Sequence, residues 1–198
     1  VLVNKSLTIR STSGNSSDTI VRAVNASRDV FTVCANNVTI SGFGIENATS
    51  AAGIYLENVE SCIITNNTAT NNEYGIYLNF SKMNTLVNNA MSGNRYNFGV
   101  VGISLSEYIQ NIDMSNKVDG KPIYYLVNGQ DQQIPDGAGF VGLVNCTNIT
   151  VKDLTLTNNG EGVLVVYTTN SRIENAFVTN NEYGIYIHSS SNNTIYNN

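Results

Sequence analysis

Short apolar runs broken by asparagine-rich turns fill most of the chain, and within each run apolar residues alternate with others. A glycine, an apolar residue, any residue and a second apolar residue recur at Gly53-Ile54-Tyr55-Leu56, Gly75-Ile76-Tyr77-Leu78, Gly162-Val163-Leu164-Val165 and Gly184-Ile185-Tyr186-Ile187. Each neighbouring pair is 22 residues apart, 53 to 75 and 162 to 184. The second and fourth copies belong to a longer identity, NNEYGIYL at 71–78 and NNEYGIYI at 180–187. A second apolar track, flanked by Asn, Ser or Thr, runs in step at Ile40, Ile63, Leu86, Val151, Ile173 and Ile195. Alternation with period two predicts strands, and no window carries the 3.6-residue stripe that a helix needs.

A repeat this short cannot enclose a core alone. Strands at equivalent positions of successive repeats can pair in parallel, burying one ladder of side chains and exposing the other. The pattern therefore predicts an all-β fold, a single-stranded parallel β-helix of about 22–23 residues per coil, as one domain over 1–198. Ile54, Leu56, Ile76, Leu78, Val163, Val165, Ile185 and Ile187 point inward in this reading, and Tyr55, Tyr77 and Tyr186 point outward. Seven or eight coils would make a rod about 35 Å long. The regular period covers 1–94 and 142–198, whereas 95–141 holds both prolines and breaks it. Two readings of that block stay open, a wide coil with a protruding hairpin and a binding loop.

The repeats resemble the short parallel β-helix repeats of the NosD-like and pectate-lyase-like superfamily, which includes carbohydrate-binding proteins and sugar hydrolases. SNKVDGKPIYYLV, followed by GLVNCTNITVKDL from Gly142 to Leu154, resembles a segment of archaeal cell-surface β-helix proteins of the NosD-like group. The resemblance implies a right-handed coil and an extracellular or cell-surface location.

Composition narrows the function. Charged residues are only 13% and the net charge is −5, which argues against a phosphate-binding surface and sets nucleic acid aside. No run of apolar residues is long enough to span a membrane in this segment. Asparagine occurs 32 times. It tolerates the left-handed backbone of tight turns, and stacked Asn side chains can bond from coil to coil, as expected for Asn66-Asn67, Asn88-Asn89 and Asn158-Asn159. Ten asparagines also begin an Asn-x-Ser/Thr sequon: Asn4, Asn15, Asn25, Asn37, Asn47, Asn66, Asn79, Asn145, Asn148 and Asn192. A structural role is the first reading for Asn37, Asn66, Asn148 and Asn192. Cys34, Cys62 and Cys146 read as buried thiols rather than a disulfide framework, and with one histidine, His188, no metal-ligand cluster and no cofactor site is expected.

Candidate chemistry is sparse. Polysaccharide-cleaving β-helices need clustered acids. Glu73 and Glu182 are equivalent but lie coils apart, no acid ladder joins them, and only Asp113, Asp119, Asp131 and Asp136 of the irregular block could converge. The outward tyrosines offer a flat strip for sugar rings, with Tyr55, Tyr74, Tyr77, Tyr183 and Tyr186 as carbohydrate-binding candidates. The same stacking would also serve simply to stabilise the outer sheet.

The expected function is a non-catalytic cell-surface scaffold, N-glycosylated and able to bind polysaccharide or cell-surface glycans. Two alternatives remain. One is a polysaccharide-active lyase, hydrolase or epimerase; the other is a structural element of a surface layer, sheath or fibre that forms homo-oligomers by end-to-end stacking of coils. The chain opens strand-like at Val1-Leu2-Val3 and stops inside a repeat at Asn197-Asn198, so both ends read as cut from a longer repeat protein or a processed precursor.

Overall fold

The computed structural model describes residues 1–198 and is built of short parallel strands stacked coil on coil. Over residues 1–118 each coil contributes three strands, and in the most regular ones a six-residue strand is followed by two of three residues. Ala52–Glu57, Ile63–Thr65 and Thr68–Thr70 form one coil, and Tyr74–Asn79, Thr85–Val87 and Ala90–Ser92 form the next. Pairing follows the repeat: Ile76 lies between Ile54 and Phe98, and Leu78 between Leu56 and Val100. These inward side chains are fully buried, which is why a chain with only short apolar runs still builds a continuous core.

The asparagine pairs divide their work. Asn66, Asn71, Asn88, Asn158, Asn180 and Asn192 adopt positive φ and turn the chain, a conformation that Asn tolerates better than most residues. The second residue of each pair points inward. Asn67 and Asn89 donate through Nδ2 to the carbonyls of Ile40 and Ile64, and Asn89 Oδ1 accepts from the Asn67 backbone N–H at 3.1 Å. Phe43 N–H and Asn116 extend this ladder at its two ends. Asn72 and Asn94 form a second ladder, with Asn94 Oδ1 accepting from Asn72 N–H at 2.9 Å. Buried amides satisfied in this way replace the backbone bonds that the tight corners lose.

Three expectations need correction. Ile63 does not share the inward track, because Ile40 pairs with Ile64 and Ile64 with Leu86. The coil between Ile40 and Ile64 is two residues longer than 22, and a one-residue misregister exchanges the faces, leaving Ile63 exposed. Cys34 is exposed, while Cys62 and Cys146 are buried thiols. The chain also contains a short helix, Leu105–Tyr108, which begins where Glu107 Oε2 accepts the backbone N–H groups of Ile103 and Ser104.

The largest departure is in the path of the chain. Residues 95–141 complete a fifth coil, with Tyr96–Val101, Asn111–Ile112 and Lys117–Val118, and then reverse at an antiparallel hairpin. The reversal pairs Lys117 with Pro122 and starts a second stack. Its long strands are Lys121–Val127, Phe140–Val144, Glu161–Val166 and Tyr183–His188. Inward residues Val141, Leu143, Val163 and Val165 make a separate core with Ile149, Val151 and Ile173. Outward residues Tyr125, Val144, Leu164 and Val166 join the first core instead. Phe140 meets Phe98 edge-on, with centroids 5.0 Å apart. One straight rod is therefore not formed, since the outer face of the second stack is laid over the end of the first and closes its core.

Candidate functional site

The junction of the two stacks gathers Glu161, Glu182 and the tyrosines beside them. Backbone meets backbone where Gly160 N–H donates to the Phe98 carbonyl at 2.8 Å and Asn97 N–H donates to Asn158 at 2.5 Å. Two glycines permit this approach, for a Cβ on Gly160 would lie 3.1 Å from the Cα of Gly99. The two buried side-chain atoms without a hydrogen-bond partner, Asn97 Nδ2 and Asn159 Oδ1, both belong to this region.

Glu161 is enclosed at the junction. Its carboxyl accepts from the Val100 N–H at 3.3 Å. Burial pushes its pKa up to about 8, and the nearby charge of Glu182 adds to the effect. Sequence inspection did not single it out. The signal was available, because Glu161-Gly162 stands where other coils have Tyr74-Gly75 and Tyr183-Gly184, and Glu161 pairs in register with Tyr183.

The five candidate tyrosines fall into one neighbourhood, although two of them come from the far end of the chain. Tyr55 and Tyr77 stack at 5.7 Å between centroids, Tyr74 and Tyr77 at 4.4 Å, and Tyr183 meets Tyr186 edge-on at 5.6 Å. Tyr74 donates its hydroxyl to Glu182, which ties the two NNEYGIY copies together. Burial first, then the Glu182 hydrogen bond, raises the Tyr74 pKa; burial and the charges of Glu161 and Glu182 raise that of Tyr77. The expected strip is thus assembled, but much of its ring surface faces other rings. None of the four surface depressions is lined by any of these tyrosines. Sequence inspection also missed Tyr108 and Tyr125, which are buried beside the junction and joined by a bond from Tyr125 Oη to the Tyr108 carbonyl at 2.6 Å. Both lie in the irregular block, where no repeat gives a position its meaning.

The four aspartates of that block do not converge. Asp113 accepts from Ser115, Asp119 from Asn158 at 3.1 Å, and Asp131 from Asn148 at 2.7 Å. Glu73 pairs with Arg95 at 3.2 Å, away from Glu182. No group of three or more His, Cys, Asp or Glu side chains is placed to hold a metal ion.

The sequons separate by geometry. Asn145 and Asn148 donate their side-chain amides to Asn128 and Asp131, and Asn79 donates to Tyr55. Asn4, Asn15, Asn25, Asn37, Asn66 and Asn192 are exposed, while Asn47 and Asn79 are half-buried.

The chain is 46% identical over 71 residues to a cell surface glycoprotein of Methanothermus fervidus, an alignment covering 36% of this chain and 11% of that protein. This chain thus spans a small fraction of the relative's length. No solved structure matches it. A family model described as the right-handed β-helix region matches residues 28–198, and the parallel coils observed here have the corresponding architecture. The chain belongs to the right-handed β-helix family.

Proposed function

We propose that this chain is a non-catalytic scaffold module of a cell-surface glycoprotein. One observation carries the reading: the side chains that would bind or react are engaged with one another. Tyrosine rings stack on tyrosine rings, Tyr74 holds Glu182, and Asp113, Asp119 and Asp131 of the irregular block bond a serine or an asparagine. Inward asparagines are likewise engaged in linking the coils. Such a structure resists local opening because every coil is bonded to the next through both backbone and side chain. The partial likeness to a cell surface glycoprotein supports the location.

The test is labelling of intact cells with a membrane-impermeant amine reagent, followed by isolation of this protein. Label on the exposed lysines before lysis is expected. Label that appears only after lysis would overturn the surface assignment. Polysaccharide pull-down examines the other half of the reading. Retention that disappears in Tyr55→Ala would establish a sugar-binding strip in place of a bare scaffold.

A further inference from the structure

Ten sequons are present, and the fold does not treat them alike. In the regular turns the middle residue of the tripeptide points into the core. Val38, Ala48, Asn67, Cys146 and Ile149 follow Asn37, Asn47, Asn66, Asn145 and Asn148, and all five are at most 1% exposed; Asn193, which follows Asn192, is half-buried and is held by the Ser171 N–H and the Thr168 carbonyl. Lifting such a tripeptide into a transferase active site would draw a core residue out of its stack. At Asn79 it is the third residue, Ser81, that is buried and bonded to the Leu56 carbonyl.

The first coil differs. Asn15-Ser16-Ser17 and Asn25-Ala26-Ser27 lie in turns outside any strand, with both asparagines exposed. Their side chains are already fixed. Asn15 Oδ1 accepts from the Ser17 N–H at 3.0 Å and from the Ser17 hydroxyl at 2.9 Å, and Asn25 Oδ1 accepts from the Ser27 N–H at 3.0 Å. With the oxygen engaged, the carboxamide Nδ2 of each exposed asparagine is not taken up by any hydrogen bond. Asn4 is exposed too, but its side chain makes no such bond to Ser6, which donates to the Asn37 carbonyl instead.

Resting on the cell-surface reading above, we propose that Asn15 and Asn25 are the glycan attachment sites of this chain, and that the sequons in the regular turns are structural. The donor is a lipid-linked sugar phosphate, acted on by a separate transferase. The bond formed joins Nδ2 to the anomeric carbon, and the bond broken joins that carbon to the phosphate oxygen. The lipid phosphate leaves with the electron pair, and the Nδ2 proton passes to a base of the transferase. Preorganisation of the carboxamide lowers the ordering cost of that step, and no core side chain has to leave its stack, since Ser16 is half-buried and Ala26 exposed.

The experiment is site-by-site glycopeptide mapping of the protein isolated from its native cells, with the impermeant label read on the same sample. Occupancy several-fold higher at Asn15 and Asn25 than at any sequon from Asn37 to Asn192 is expected. Equal or higher occupancy at any of those later sequons overturns the assignment, as does a bare Asn15 and Asn25. A labelled but unglycosylated protein overturns the sites and leaves the surface scaffold standing, whereas an unlabelled protein overturns the scaffold reading itself. The double variant Asn15→Gln, Asn25→Gln provides the second measurement. Loss of nearly all glycan mass with an unchanged melting temperature is expected, and retention of most of that mass overturns the proposal.

Discussion

NNEYGIYL at 71–78 and NNEYGIYI at 180–187 differ in one residue, yet their surroundings are different. Leu78 is fully buried between Leu56 and Val100, whereas Ile187 pairs with Val165 on one side only and is 43% exposed. Asn72 is buried with bonds to the coils on both sides, and Asn181 is half-buried with bonds on one. Identical letters therefore define a face and a turn, and the neighbouring coil decides how much energy they supply. In a solenoid, stability belongs largely to the interfaces between repeats.

The third version of the motif sharpens the contrast most, because Glu161 stands in register with Tyr183 and is buried at the junction. Burial pushes the Glu161 pKa up to about 8 in the folded chain, while the unfolded chain releases the proton near 4.5. Stability from this group is full below about 4.5 and declines as pH rises toward 8, by on the order of 3–5 kcal/mol over the whole window. The melting temperature should fall between pH 5 and pH 9, and Glu161→Gln should flatten that slope; an unchanged slope in the variant would assign the effect to other groups. Next in size, Leu78→Ala should cost about 2–5 kcal/mol by denaturant unfolding. Ile187→Ala should cost under about 1 kcal/mol because its side chain is half in solvent already. Equal losses would break the comparison. For the asparagine pair, Asn72→Ala should cost about 1–3 kcal/mol by leaving the Ala48 N–H and the Ile45 carbonyl without their partner, and Asn181→Ala should cost less. Hydrogen exchange at Ala48 should accelerate in the first variant.

The period of 22 residues and the inward set of Ile54, Leu56, Ile76 and Leu78 were legible because strand alternation and a fixed repeat leave few ways to bury one face. Ile63 was misread because the turn before it holds extra residues, and a period alone does not show which coil is longer. The change of direction after Lys117–Val118 was hidden for another reason. Leu164 interrupts the outward tyrosines at 77 and 186, and its burial comes from a stack that contacts it only in three dimensions. Outward apolar residues such as Val144, Leu164 and Val166 were the available trace of a covered face. For the site, tyrosine spacing indicated stacking correctly, but Glu182 as the partner of Tyr74 lies 108 residues away and no local pattern points to it.

The hairpin at Lys117–Pro122 also fixes what larger assemblies of this shape would look like. The flank of the second stack, through Phe140, Leu164 and Val166, covers the end of the first. A further chain could not add a coil there, because that end of the first core is already occupied by the same chain.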